Sequence, residues 1–366
     1  MKHLKKFIVI LGIILMLPCI SFAEGVLKLL VWDGYVPGEK VKQFEEDMSK
    51  KYGKSVHLEV STRVSDPQDF FDAIRTEEKG YHIISPSHNL IKDERFNYIE
   101  KKLIIDIDPN NIPNYKDILP ALSKADYMTE GGKIYGVPFA HGPYGIAYNT
   151  KYFDKAPDSL NILWDEKYKG RFCLSSDYYE ANAFLTAMAM GKKKEDFADY
   201  DKLTATDDFS IKLHQLAHNA KSFWIGVDKP EDLQGLSLAA TWGFSLGDLA
   251  KKGETWKMME PKEGYSGWVD NFVIARNVEK DPFLKKIAEE WLNFVISPEY
   301  QAEVVVRGLG SDPVNIQTAK LLTKEENDKH HLNDPEYFSK NRILWPVMSK
   351  RNRNGLKVLW QNAMKK

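Results

Sequence analysis

Apolar and polar positions change period several times in the stretch following residue 23. Val26–Trp32 (VLKLLVW) is almost wholly apolar and predicts a buried first strand, which Asp33-Gly34-Tyr35-Val36-Pro37 breaks. Glu39–Tyr52 carries Val41, Phe44 and Met48 at near-helical spacing, and Ser55–Val64 then alternates like a strand. Pro67–Glu77 returns to helical spacing with Phe70, Phe71 and Ile74, and Tyr81–Ser85 (YHIIS) is a third strand closed by Pro86. This β-α-β-α-β order predicts an α/β fold with a mainly parallel sheet flanked by helices. Ligands on such sheets bind beyond the carboxyl ends of the strands. Trp32, Asp33 and Tyr35 stand there after strand one, and Ser87, His88 and Asn89 after strand three. Ordinary loop chemistry accounts for the same residues equally well.

Further along, Asn89–Glu100 is expected to be helical, Leu103–Asp108 an extended edge, and Pro109–Leu122 loop-rich. Lys133–Asn149 (KIYGVPFAHGPYGIAYN) is interrupted by Gly136, Gly142, Gly145, Pro138 and Pro143, so it predicts a strand-and-turn passage that carries the chain between lobes. Strands follow at Arg171–Leu174 and Leu236–Ala240, the latter ending in Thr241-Trp242-Gly243. A helix starts at Ser176 or Asp177, with Ala181, Phe184, Leu185 and Met188 on one face. Asp281-Pro282 starts another, ending near Ile296, with Asp as cap and Pro in the first turn. Arg307–Asn315 is a turn-rich return, and Leu344–Lys365 gives a final helix.

A chain of 366 residues suits two lobes better than one domain, and 43% hydrophobic with 28% charged residues is the composition of a globular protein. The formal net charge of −1 leaves no nucleic-acid footprint. The first 23 residues stand apart. Lys2, Lys5 and Lys6 precede the short apolar run Phe7–Leu17, and Ser21-Phe22-Ala23 has small residues at the cleavage positions. This pattern predicts a secretory signal peptide cleaved after Ala23 and a periplasmic, monomeric product. Pro18 before Cys19 fits lipoprotein processing poorly. With Cys19 removed, Cys173 alone remains, so no intramolecular disulfide is available.

In GYSGWVDNFVIAR, Gly264–Arg276, Trp268 and Asp270 are two residues apart. In a strand they share a face, offering a ring and a carboxylate side by side, which suits an organic ammonium ion. A packed Trp beside a solvated Asp at a strand end is the plainer alternative. Asp177-Tyr-Tyr-Glu180 is either a capping box or a pair of carboxylates at the mouth of the second lobe. His214 and His218 share a helix face, but Gln215 stands where a metalloprotease needs Glu, so no metal is expected. No Gly-x-Ser-x-Gly elbow is present, no cofactor is called for, and an enzyme is not expected.

These segments recur in a known order. LLVWDGYVP, YHIISPS, KIYGVPFAHGPYGIAYN, LWDEKYKGR, the Asp177/Glu180 pair, the Trp242 strand end and GWVDNFVI together resemble the polyamine-binding (spermidine/putrescine) periplasmic proteins of ATP-driven importers. The resemblance runs from about Leu27 to Asn315. It implies a two-lobed periplasmic-binding-protein fold of type II-like topology, with ligand in the interlobe cleft. One lobe would comprise 24–141 and 270–312, the other 142–269 and 313–366. It implies that Trp32 and Tyr35 line the first-lobe wall, with Asp33 beside them, and that Ser87 gives a polar contact. It further implies that Asp177 and Glu180 hold a terminal ammonium, Trp268 stacks on the methylene chain, Asp270 pairs with an inner amine and Trp242 completes an aromatic box. Asn89 and His141 stand where many relatives carry an aromatic and a tryptophan, and Leu309 where a tyrosine is usual, which makes the far end of the expected pocket more polar. The implied partners are a polyamine and the permease subunits of an ABC importer. Another small cation as ligand, a sensor role and an exported hydrolase are the competing readings.

Overall fold

The computed structural model describes residues 25–334 and 336–365. The expected signal peptide lies outside them. β1 (Gly25–Leu30) pairs in parallel with β2 (Val56–Ser61) and β3 (Ile83–Ile84). The helices Gly38–Tyr52 and Pro67–Ile74 connect them, so the first β-α-β-α-β unit forms as its periodicity requires. β4 (Thr129–Glu130) and β5 (Lys133–Ile134) make a separate small pair. β6 (Val137–Asn149) is a single 13-residue strand. β7 (Phe172–Ser175) is parallel to both β8 (Ser222–Trp224) and β9 (Leu238–Thr241). β10 (Trp256–Met258) lies on β6, and β11 (Tyr265–Ile274) is antiparallel to both β6 and β3. The short β12 (Asp312–Pro313) pairs with β6 and β13 (Arg342–Leu344) with β11.

The resulting order is β2-β1-β3-β11-β6-β9-β7-β8. On the β1 side, Leu27, Phe44, Phe139, Phe272, Trp291 and Tyr300 belong to one core. On the β7 side, Tyr144, Phe172, Phe184, Leu213, Trp224 and Trp360 belong to another. A smaller cluster with Phe70, Ile84, Phe96 and Tyr98 sits under β3. β6 runs from the first core, at Phe139, to the second, at Tyr144.

Three segments depart from their periodicity. Lys133–Asn149 was expected to turn repeatedly, yet β6 is continuous. A register shift between Asp270 and Asn271 carries the pairing from Ala140 directly to Pro138, so Phe139 is the extra residue of a bulge and the strand runs on through Pro138. The expected helix Asn89–Glu100 shrinks to His88–Ile91. The Asp93 carboxylate accepts the Arg95 backbone N–H at 2.9 Å, and Asn97 and Lys102 adopt φ of 35° and 51°, outside any helix. The final helix begins at Lys350, capped by Ser349, rather than at Leu344. Pro346 holds Trp345 extended, and residues 342–344 become a strand instead.

Candidate functional site

Beyond the ends of β1 and β3, beside the middle of β11, three side chains meet. Asp270 is buried, at 6% exposure. The Tyr35 hydroxyl donates to its Oδ2 at 2.5 Å, and the Ser87 hydroxyl donates to its Oδ1. The backbone of Ser87 also bridges that of Asp270. Tyr35 is itself fixed: its ring packs on Phe139, 4.9 Å between centroids, and its carbonyl accepts the Tyr300 hydroxyl at 2.7 Å. Burial pushes the Asp270 pKa up to about 6, against the pull of the two hydroxyls. Burial and the neighbouring carboxylate push the Tyr35 phenol well above its ordinary value, so it remains a donor. Among the described residues the hydrogen-bond partners of this carboxylate are hydroxyls and not cations.

The strand period then sorts the neighbours. In the β6–β11 register, Trp268 is opposite Gly142, Asp270 opposite Ala140, and Ser266 opposite Tyr144. Directly opposed residues share a face, and the faces alternate along each strand. Trp268, Asp270, Gly142 and Tyr144 therefore occupy one face. Gly142 is needed there, because a Cβ at this position would lie 2.9 Å from the Trp268 indole. Trp268 is buried, with its ring centroid 6.1 Å from that of half-exposed Phe244.

His141 falls on the reverse face, opposite Val269 and Asp312. Its ring packs edge-on to Phe338 at 5.0 Å, and its Nδ1 lies 3.6 Å from Asp312. Desolvation pushes its pKa down to about 4, so it is neutral near pH 7. Asp312 accepts from Arg342 at 2.6 Å and pairs with His330 at 2.8 Å. Burial would raise its pKa, but Arg342 leads the groups that hold it far below the carboxylate range. The expectation that His141 lines the ligand wall is corrected here: a one-residue offset in a strand sends it to the structural ion-pair cluster behind the sheet.

From the β7 side come rings. Trp242 packs against Tyr178 at 4.8 Å, Tyr144 at 5.0 Å and Trp345 at 5.6 Å. Its indole N–H donates to the Gly226 carbonyl, and its backbone N–H donates to Asp228. Trp345 arrives from the segment after β13. Its carbonyl is 2.9 Å from His88 Nε2, while His88 Nδ1 accepts from the Val269 N–H, so Nε2 carries the proton. Tyr144, Tyr178, Phe244 and Trp345 were not picked out from sequence as part of the site, whereas His88 was placed at the end of strand three. The signal for Trp345 was Pro346, which excludes it from the final helix.

The remaining candidates are less uniform. Trp32 is half-buried, edge-on to Phe70 at 5.2 Å. The indole N–H groups of Trp32, Trp268 and Trp345 find no acceptor among the described residues. Asp33 is exposed and Asn89 half-buried in the short helix, where His88 carries the contacts. The Asp177–Glu180 capping box does not form: the helix Tyr179–Ala189 has Tyr178 at its cap position with no side-chain cap bond. Exposed Asp177 instead accepts from the Ser175 hydroxyl at 2.8 Å and the Gly226 N–H at 3.0 Å. Glu180 is half-buried, and burial raises its pKa to about 7 while bonds to its own backbone and to Tyr179, and the charges of Arg95 and Arg353, pull it down.

His214 and His218 stack with ring centroids 4.0 Å apart, and His218 Nε2–H donates to the Lys365 carbonyl. Among the described residues no group of three or more His, Cys, Asp or Glu is placed to hold a metal ion. No described helix is long and apolar enough to cross a membrane.

Comparison with known proteins places this geometry in context. The family described as bacterial extracellular solute-binding protein matches residues 82–341. The spermidine/putrescine-binding periplasmic protein of Salmonella typhimurium is 24% identical over 314 residues, covering 84% of this chain and 83% of that protein. The putrescine-binding periplasmic protein SpuD of Pseudomonas aeruginosa is 23% identical over 301 residues, covering 76% of each chain. The crystal structure of the spermidine/putrescine ABC transporter substrate-binding protein PotD from Streptococcus pneumoniae superposes with a TM-score of 0.75 at 20% identity, over 93% of this chain and 99% of that one.

Proposed function

The chain belongs to the bacterial extracellular solute-binding proteins, and we propose that within this family it binds a polyamine and hands it to the permease of an ABC importer. The observation that carries this reading is Asp270: a buried carboxylate, without a protein cation among its described hydrogen-bond partners, set beside the Trp268 ring. A polyamine is apolar along its stem and charged at its nitrogens, so flat rings with an anion among them suit it. The names of the Salmonella and Pseudomonas relatives support the same class.

In this reading 24–141 with 270–312 and 142–269 with 313–366 form two lobes, with β6 and β11 as the hinge between them, although Trp268, Val269, Val314 and Phe338 of the second set pack into the first core. Hinged closure on a ligand is a common device in such proteins. Trp32, Tyr35, Ser87 and Asp270 act from the first lobe. Trp268 packs in the first core with them, Trp242, Asp177 and Glu180 close from the other lobe, and Asp33 and Asn89 stand at the rim. The protein acts as a monomer in the periplasm, released by cleavage after Ala23, and carries out no catalysis. A thermal-shift screen of putrescine, spermidine and amino acids tests it, since a ligand that binds only the folded state raises the melting temperature by mass action. A rise with amines and none with neutral amino acids is expected; a rise with amino acids alone would replace the polyamine by another class.

A further inference from the structure

Two pieces of chain share one edge of β11. β13 pairs with Tyr265–Gly267. The segment around β3 takes the rest: Ser87 bridges Asp270, the Pro86 carbonyl accepts the Asn271 N–H at 3.1 Å, and β3 pairs with Val273 and Ile274. Between the two lies Val269, and the partner of its N–H is the His88 imidazole, at 3.2 Å. The same ring donates from Nε2 to the Trp345 carbonyl at 2.9 Å. A side chain thus stands in for backbone at the seam where the segment after β3 meets the segment after β13. His88 is 2% exposed and edge-on to Tyr127 at 5.3 Å. Desolvation pushes its pKa down to about 4, so the ring stays neutral, with one nitrogen to accept and one to donate.

Trp345 is held through both its N–H and its carbonyl. The N–H donates to the Gly267 carbonyl at 3.3 Å, one residue before Trp268, and the carbonyl takes the His88 bond. Its ring is buried and packs edge-on to Tyr144 at 6.2 Å, tilted against Trp242 at 5.6 Å and Tyr178 at 6.3 Å. Tyr144 is on the face of the β6–β11 sheet that also carries Trp268 and Asp270. The Trp345 ring therefore stands on the side of the buried carboxylate, beside the Trp242 ring, and its indole N–H has no acceptor among the described residues. An electron-rich ring there attracts a cation held at Asp270. Phe184, at 6.2 Å, ties the same ring to the second core.

We propose that Trp345 is a further ligand-contacting ring of the amine site and that His88 positions it, by locking its backbone to the strand that carries Trp268 and Asp270. Both roles rest on the amine-binding function proposed above and extend it to the segment after β13. In the plainer alternative Trp345 only fills the second core and His88 only seals the sheet. Their loss would then lower the melting temperature and leave the affinity of the folded protein unchanged.

Calorimetry with 1,4-diaminobutane on the wild type, Trp345→Leu, Trp345→Phe, His88→Asn, His88→Gln and the double variant His88→Asn/Trp345→Leu tests the proposal, with ligand-free thermal melts to check folding. Trp345→Leu should weaken binding about three- to thirty-fold. Trp345→Phe, which keeps a smaller ring with a weaker face, should weaken it about three-fold and serves if the leucine variant does not fold. The Gln carboxamide reaches about as far as Nε2 and keeps a donor for the Trp345 carbonyl, so His88→Gln should stay within about two-fold of the wild type. The Asn carboxamide ends near the Nδ1 position, so His88→Asn keeps an acceptor for Val269, drops Trp345 and should lose about as much as Trp345→Leu. The double variant should lose no more than Trp345→Leu alone, because His88 acts through that ring. Unchanged affinity in the folded Trp345 variants overturns the proposal and leaves the amine reading standing. Additive losses in the double variant, or equal losses in His88→Asn and His88→Gln, overturn the positioning role. If 1-aminobutane, 1,4-diaminobutane and spermidine all fail to bind the wild type, the amine reading itself falls and takes this inference with it.

Discussion

Tyr35 and Asp270, 235 residues apart in sequence, meet in a 2.5 Å hydrogen bond from phenol to carboxylate. This bond, with the one from Ser87, fixes a buried anion at the point where β1, β3 and β11 converge. A buried charge held by neutral donors is costly for the ligand-free protein and useful to a cationic ligand, which supplies the missing partner. Asp270→Asn keeps the shape and removes the charge. It is expected to weaken amine binding by roughly 2–5 kcal/mol, the range for truncating a buried charge pair. The ligand-free variant should melt no lower than the wild type, since it no longer buries an ion. Calorimetry and a thermal melt on the same preparation check both halves.

The same carboxylate sets a pH dependence. Its folded-state pKa is raised, from 3.8 to about 6, by burial. Between these values the folded state binds more protons than the unfolded one, so the contribution of Asp270 to stability falls as pH rises from about 4 to 6. Amine binding runs the other way, because the ammonium needs the ionised carboxylate. Affinity is expected to be constant from about pH 7 to 8.5 and to fall with decreasing pH below about 6, approaching ten-fold per unit. Titrations at pH 5, 6, 7 and 8 trace the curve, and Asp270→Asn should flatten it.

Gly142 makes room for the Trp268 indole, with only 2.9 Å between an added Cβ and the ring. Gly142→Ala must displace that ring, with about 1–3 kcal/mol of overpacking cost to stability. Because the ring and Asp270 share a face, amine affinity should fall as well. Trp268→Leu, which removes the ring without the clash, should cost about 0.5–2 kcal/mol of binding. Intrinsic tryptophan fluorescence during titration reads the displacement directly.

His141 separates a site role from a structural one. It stands behind the sheet with Asp312 and Phe338. His141→Leu is expected to leave amine affinity within about two-fold, which is under 0.5 kcal/mol. Breaking the cluster behind it is a different matter: Arg342→Met removes the guanidinium partner of buried Asp312, leaving it to His330, and should cost about 3–5 kcal/mol of stability. A large affinity loss in folded His141→Leu would return that residue to the ligand wall.

How far the sequence reached can be judged from these same residues. The ends of strands one and three were legible because an apolar run, a turn signal and a β-α-β order suffice to place Trp32, Tyr35 and Ser87. Trp268 and Asp270 were legible as neighbours because strand period alone puts them on one face. His141 was misplaced because its face depends on its register with β11, a strand far along the chain, in which it stands opposite Val269. Glu180 matched a capping box in sequence, but the Ser175 hydroxyl takes the Tyr178 N–H instead, and burial dominates the environment of the carboxylate. Trp345 was absorbed into an amphipathic pattern that Pro346 cuts short. Local pattern fixes elements and faces; it carries no information about partners delivered by long-range pairing.

The most direct test is calorimetry of the chain from residue 24 onward with 1,4-diaminobutane at pH 8, on the wild type and Asp270→Asn side by side. The account predicts one site per chain in the wild type and a loss of roughly 30-fold or more in the variant, corresponding to at least about 2 kcal/mol. Equal affinity in the two proteins, with both folded, would contradict it.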